Sequence, residues 1–267
     1  MNNVWPILAA VLALGGLGAL FGVLLTVADK KFYVPVDERI AKVQECLGGA
    51  NCGACGFAGC PALAEAIVAG KAKPDACPPA GADGAARIAQ IMGLEVEATK
   101  PVVAKVICQG ATGVAKDRYI YDGLPSCRAA STMAGGPKMC PYACLGLGDC
   151  VKQCAFGAIS IKDGLAQVNE SKCAACGMCV ETCPRGVLQL LPREQNVLGR
   201  CRNRDTGRSA REACVKACIG CKRCEKECQY GAIHVENGFA HIDPDKCTRC
   251  GACAKVCPCG CITMPEA

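Results

Sequence analysis

Nine cysteines of this 267-residue chain recur at a constant offset of 74 residues. Cys127, Cys140, Cys144, Cys150, Cys154, Cys173, Cys176, Cys179 and Cys183 are answered by Cys201, Cys214, Cys218, Cys224, Cys228, Cys247, Cys250, Cys253 and Cys257. Gly157-Ala158-Ile159 and Gly231-Ala232-Ile233 repeat at the same offset. The period is longer than a solenoid repeat, so the chain carries two copies of one small domain. Each copy places a hairpin between two cysteine groups. Ala158 to Ile161 and Leu165 to Val168 flank Asp163-Gly164; Ala232 to Val235 and Phe239 to Ile242 flank Asn237-Gly238. Both dipeptides suit a two-residue turn. Short helices are expected to begin near the third cysteine of each group.

The spacing within the groups points to chemistry. Cys173-x2-Cys176-x2-Cys179-x3-Cys183-Pro184 and Cys247-x2-Cys250-x2-Cys253-x3-Cys257-Pro258 match the bacterial ferredoxin run, whose fourth cysteine serves the other cluster of a pair. Soft thiolates select iron–sulfur or zinc over hard cations. Zinc would usually take two Cys-x2-Cys pairs, often with His; the third Cys and the following Pro favour iron–sulfur. Cys154 is therefore expected with Cys173, Cys176 and Cys179, and Cys228 with Cys247, Cys250 and Cys253. The upstream group of the second copy, Cys218, Cys221, Cys224 and Cys228, is complete. In the first copy Leu147 stands where Cys221 stands in the second. Cys144, Cys150 and Cys183 are then one donor short, and Cys140 is the nearest candidate. A three-iron cluster, another donor, a zinc site or a vestigial site are the alternatives.

A separate set, Cys52-x2-Cys55-x4-Cys60-x16-Cys77, is interleaved with Gly53, Gly56 and Gly59. Glycines allow backbone amides to approach sulfur closely. A cluster is expected here, with a structural zinc as the alternative. The minimum is five [4Fe-4S] clusters: one in this module and two in each copy. Cys108, Cys127, Cys201 and Cys214 are candidates for one or more further clusters. Cys46, Cys259 and Cys261 carry no assignment, and some of the extra thiols read as ordinary buried side chains.

Composition supports metal staples. The chain has 27 cysteines and 4% aromatics, so its cores are thin and need reinforcement. Disulfides belong to secreted chains; this one starts MNNVWP, without a basic n-region or a small-residue cleavage site, and its cysteine count is odd. The formal charge is +6 with every cysteine neutral. Each four-iron cluster bound by four thiolates carries about −2, so five bring the total to about −4. The basic balance is no argument for nucleic acid. No Gly-x-Gly-x-x-Gly lies between a strand and a helix, no Walker-type loop occurs, and no catalytic acid, base or flavin site is visible. His234 and His241 read as a surface or cross-strand pair.

Val4 to Ala28 is 25 residues without a charge, followed by Asp29, Lys30 and Lys31. That length crosses a bilayer core, and the lysines place the rest of the chain in the cytoplasm. Trp5 suits the outer interface and Tyr33 the inner one; Gly18 and Gly22 form a small-xxx-small pair. Helices are expected over Asp37 to Leu47, Ala62 to Gly70 and Asp83 to Met92, with Glu95 to Val102 a linker and Leu190 to Arg200 a short join between copies. The fold class is α+β. The domains are an anchor (1–28), an iron–sulfur module (35–93) and two-cluster ferredoxin-like domains (127–190 and 201–264).

An apolar anchor, then LGGANCGACGFAGCPALAEAIVAGKAKPDACPP, then ferredoxin-type domains resembles the B subunits of Rnf complexes over essentially the whole chain. The set Cys52, Cys55, Cys60 and Cys77 is the specific part of the likeness. The resemblance implies a membrane complex that moves electrons between ferredoxin and NAD and pumps Na⁺ or H⁺. It implies a subunit that exchanges electrons with soluble ferredoxin, alongside membrane and peripheral partner subunits. The departures are Leu147, the extra Cys108, Cys127, Cys140, Cys201 and Cys214, and Ala155 and Gln229 where Pro often follows the run. The other readings are an iron–sulfur subunit of a hydrogenase or quinone-linked reductase, and a zinc-binding interaction protein.

Overall fold

The computed structural model describes residues 4–32, 37–95, 100–205 and 207–264. The chain divides into two compact units, Met1–Ile40 and Ala41–Ala267. The first unit is dominated by helix α1, Val4–Lys31. Its described side chains are exposed nearly all round, Trp5 included. Among the described residues it is the one helix long and apolar enough to cross a membrane. It runs past Ala28, and Lys30 and Lys31 form its last turn, where cations meet the negative end of the helix dipole. Tyr33 lies outside the described residues.

The second unit begins within α2 (Glu38–Cys46), whose start is capped by Asp37, the Arg39 amide donating to Asp37 Oδ1 at 2.9 Å. Helices α3 (Cys60–Val68) and α4 (Gly81–Met92) follow. Val43, Leu63, Ile67 and Ile88 are fully buried and make the small apolar centre of this module.

The remaining elements alternate short strands with one-turn helices: β1 (Val102–Val106), α5 (Cys127–Thr132), α6 (Asp149–Lys152), β2 (Ile159–Lys162), β3 (Leu165–Val168), α7 (Met178–Thr182), β4 (Leu188–Pro192), β5 (Leu198–Gly199), α8 (Gly207–Ala213), α9 (Arg223–Glu227), β6 (Ile233–Glu236), β7 (Phe239–Ile242), α10 (Ala252–Lys255) and β8 (Ile262–Thr263). The two hairpins form as expected, β2 with β3 and β6 with β7. Asp163 and Gly164 have φ of 50° and 69°, and Asn237 and Gly238 of 51° and 88°. Positive φ at both central positions is what a type I′ turn requires.

Two pairings lie outside the sequence expectations. β1 pairs antiparallel with β4, Ala104 opposite Leu190, so the end of the expected linker is a strand. β5 pairs with β8, Leu198 opposite Thr263, so the join between copies is partly sheet. These segments are two to five residues long, and even with Lys105 in β1 and Gln189 in β4 they are too short to show a period. The pairings also reveal the true correspondence of the copies. Val106 faces Leu188, and Gly199 faces Ile262, the residue 74 places after Leu188. Cys108 and Cys201 each stand two residues beyond these points. Cys201 is thus the structural equivalent of Cys108, not of Cys127. The stretch from Cys108 to Cys140 is longer than that from Cys201 to Cys214, and the extra length holds α5.

The backbone at Gly146 (φ 71°) passes the first hairpin so closely that a Cβ there would lie 2.4 Å from the Gly164 carbonyl oxygen. Gly146→Ala meets both a positive φ and a backbone clash. It should cost more than about 1 kcal/mol, read as cluster absorbance lost at lower denaturant concentration than in the parent protein; unchanged resistance would contradict the packing.

Candidate metal centres

The four runs are held alike. Gly148, Gly177, Lys222 and Gly251 adopt left-handed backbone and open α6, α7, α9 and α10. The third cysteine of each group, Cys150, Cys179, Cys224 and Cys253, is the second residue of its helix and is buried. Burial pushes these thiols up to about 12, 11, 12 and 11 respectively, and neighbouring thiolates add to the rise. A bare thiolate is unfavourable in such a place; a cationic core restores it.

Cys154, Cys173, Cys176 and Cys179 line one cavity of about 330 Å³, walled by Phe156, Ile159 and Leu190. Amides point at its sulfurs: Ala158 N donates to Cys154 Sγ at 3.3 Å and Ala104 N to Cys173 Sγ at 3.4 Å. Cys228, Cys247 and Cys250 surround Cys253 in the second copy closely enough for each to raise it after burial, and Ala232 N donates to Cys228 Sγ at 3.4 Å.

At the group where Leu147 stands, the cysteine that lies with Cys144, Cys150 and Cys183 is not the expected Cys140. A cavity of about 350 Å³ is lined by Cys144, Cys150, Cys183 and Cys127. Cys140 lies in another cavity, with Cys108, Cys201 and Cys214. The reason is local. Asp149, which opens α6 beside Cys150, accepts from the Ser126 hydroxyl and the Arg128 amide, both at 3.0 Å. That clamp pins the start of α5, and with it Cys127, against the site. Nearness in sequence chose Cys140; the fold chose the cysteine on the extra loop.

In the second copy Cys218, Cys221, Cys224 and Cys257 line a cavity of about 290 Å³, joined by Cys259 and Cys261. Cys261 is 2% exposed and its sulfur lies 3.5 Å from Cys257 Sγ. The Cys261 thiol donates to Cys257, which falls to about 5, and to Cys218, which also falls, while Cys261 itself is held up. Sequence spacing gave no hint of this pair. In the first module Cys77 is buried and Cys52, Cys55 and Cys60 half-buried. Cys60 opens α3, its amide bonded to Asn51 Oδ1 at 2.8 Å. Burial raises the Cys176 thiol, and after it the charges of Cys52, Cys154 and Cys173; Cys52 thus lies near the first copy's sulfurs.

These residues fit four-iron clusters. Three cavities carry four converging thiols each at similar volume. Among the described residues, no three His, Cys, Asp or Glu side chains converge on a point suited to a single ion. Tetrahedral zinc would hold its sulfurs about 3.8 Å apart, given Zn–S bonds near 2.3 Å. A cluster binds only thiolates, so assembly expels protons from thiols held neutral by burial. The protonated state belongs to the empty site and the ionised state to the loaded one. Loading therefore strengthens as pH rises, up to the pKa values of about 11 to 12. Indicator-dye titration at neutral pH should show protons released as clusters load, fewer at the site of Cys218 and Cys257, whose thiols are lowered, than at the sites of Cys150 and Cys179, whose thiols are raised; no release at all would mean the thiols were already ionised.

Three family models match the chain: an iron–sulfur (FeS) cluster model over residues 47–79, a 4Fe-4S binding domain over 166–189 and a 4Fe-4S dicluster domain over 217–261. Among similar proteins, the B subunit of the Na(+)-translocating ferredoxin:NAD(+) oxidoreductase complex of Acetobacterium woodii is 48% identical over 96% of this chain and 78% of its own length. The B subunit of an ion-translocating oxidoreductase complex of Methanosarcina acetivorans is 43% identical over 93% of this chain and 95% of its own. The B subunit of a proton-translocating ferredoxin:NAD(+) oxidoreductase complex of Clostridium ljungdahlii is 38% identical over 98% of this chain and 93% of its own. With an apolar helix at one end and sulfur-lined sites through the rest, the chain belongs to the B-subunit family of the Rnf-type ion-translocating ferredoxin:NAD oxidoreductases, as their iron–sulfur electron-transfer subunit.

Proposed function

We propose that this subunit takes electrons from a reduced soluble ferredoxin and delivers them to membrane partners of its complex. Five four-cysteine sets hold its clusters: Cys52, Cys55, Cys60 and Cys77; Cys127, Cys144, Cys150 and Cys183; Cys154, Cys173, Cys176 and Cys179; Cys218, Cys221, Cys224 and Cys257; and Cys228, Cys247, Cys250 and Cys253. When bound, such a cluster supplies one-electron carriage at low potential. The protein's part is to shield the sulfurs, aim amides at them and leave an edge open where a partner docks. α1 crosses the membrane once, and Lys30 and Lys31 hold the soluble part on the cytoplasmic side.

The observation that carries the docking is exposure. Cys221 and Cys250 are the exposed cysteines among the described residues, and both belong to the second copy. Lys222 and Arg223 beside Cys221 are exposed; Arg249 beside Cys250 is engaged with Glu194 at 2.5 Å. Small ferredoxins are commonly acidic, so the free cations steer them. In stopped-flow reduction by reduced ferredoxin, the rate should fall as salt rises, and Lys222→Glu with Arg223→Glu should slow it about tenfold at low salt. Failure of ferredoxin at every ionic strength, with direct reduction by NADH, would overturn the reading.

A further inference from the structure

Cys108, Cys140, Cys201 and Cys214 lie outside all three matched family models. They nevertheless line one cavity of about 310 Å³, beside about 330, 350 and 290 Å³ for the cysteine-lined cavities within the copies. The site is made in halves. Cys108 follows β1 and Cys140 precedes the first copy's cysteine group; Cys201 follows β5 and Cys214 precedes the second copy's. By the strand register, Cys201 answers Cys108, and by the 74-residue offset Cys214 answers Cys140. Each copy thus contributes an equivalent pair.

The sulfurs are cradled as the others are. Every one faces the amide two residues on: Gly110 to Cys108 at 3.2 Å, Asn203 to Cys201 at 3.5 Å, Tyr142 to Cys140 and Lys216 to Cys214. The same step links Gly146 to Cys144, Met178 to Cys176 and Gly220 to Cys218. A second amide reaches each strand-end sulfur at equivalent positions, Cys144 N to Cys108 at 3.5 Å and Cys218 N to Cys201 at 3.2 Å.

Charge gives an independent reason. Lys138 is 6% exposed, and its Nζ donates to the Gly110 carbonyl at 2.8 Å. Arg200 donates to the carbonyls of Val106 and Cys108 at 3.1 and 3.2 Å, and Arg200, Arg202 and Lys216 line the cavity. Among the described residues none of these four cations has a carboxylate partner; Asp205 is the carboxylate near Cys140. Lys138 is buried, Arg200 and Arg202 are half-buried and Lys216 is exposed; the buried cation needs a compensating anion, and four neutral thiols supply none.

We propose that Cys108, Cys140, Cys201 and Cys214 hold a further four-iron cluster where the two ferredoxin copies meet. A core of charge +2 replaces four thiol protons and leaves a net −2 against the cations. It carries one electron at a time, its core passing between +2 and +1 with no bond made or broken. The inference rests on the iron–sulfur reading of the chain.

The test is metal and sulfide analysis of the full chain, purified anaerobically with its clusters. Six sites predict about 24 irons and 24 sulfides per chain, and five predict about 20. Cys108→Ala with Cys214→Ala should remove about four of each, while Cys46→Ala, outside every site, removes none. A parent count near 20 that the double variant leaves unchanged overturns the proposal, as does about one zinc per chain that the variant loses. If the double variant loses far more iron through misfolding, Cys140→Ser decides: a changed EPR spectrum of the reduced protein supports the site, and an identical one overturns it. Absence of iron altogether would instead defeat the iron–sulfur reading.

Discussion

Stripped of iron by an anaerobic chelator and denaturant cycle, the chain beyond residue 40 should lose most of its ordered structure, while α1 keeps its helicity in detergent. The cores explain the size of this effect. In the core around the first copy, six of the 18 buried residues are cysteines and seven are alanines. The second core rests on Val197, Ile233, Phe239 and Ile262, again among cysteines. The helices that carry the third cysteines are four or five residues long, far below the length at which a helix holds itself in water. What organises each copy is ligation. Structural zinc in small domains supplies about 10–16 kcal/mol of folding free energy, and a cluster with four thiolates acts in the same way. Loss of near-ultraviolet circular dichroism and rapid proteolysis after about Ile40 are the expected results. An apo form with unchanged dichroism and resistance would show that the polypeptide folds without its metals.

The second large effect separates Cys127 from Cys140. Cys127→Ser should remove or convert the cluster of Cys144, Cys150 and Cys183, costing one to four irons. Cys140→Ser should leave that cluster's EPR signal in place. The contrast follows from the Asp149 clamp, which ties the start of α5 to the start of α6. Identical spectra from the two variants would mean that the cavity lined by Cys127 is not where that cluster sits.

This site also shows where reading the sequence stops. The ferredoxin runs, the hairpins and their Asp-Gly and Asn-Gly turns were legible, because spacing and turn chemistry are local. The long apolar helix α1 was legible from its lack of charge. The place of Cys127 beside Cys144, Cys150 and Cys183 was not, because a loop between Cys108 and Cys140 brings it back across many residues, and nearness along the chain carries no information about that return. The repeat itself misled at one position. Cys127 and Cys201 share the 74-residue offset, but β1 and β5 make Cys108 the partner of Cys201. Those strands escaped notice because Val102–Val106 and Leu198–Gly199 are too short to show alternation. The thiol pair Cys257 and Cys261, 3.5 Å apart, came from packing alone.

Electron transfer along this chain requires that its sulfur sites hold clusters close enough to act as one conductor. Cys179 and Cys183 belong to different cavities yet are four residues apart, so their Cα atoms are within about 14 Å. Cys253 and Cys257 are likewise four residues apart, so the same bound applies to them. EPR of the full chain, reduced stepwise under anaerobic conditions, tests this most directly. The predicted result is several reduced clusters per chain, their signals broadened and split by spin–spin coupling as neighbours fill, and sharpening when only one of a pair is reduced. Narrow, non-interacting signals at every potential, or a protein that takes up no electrons at low potential, would contradict it.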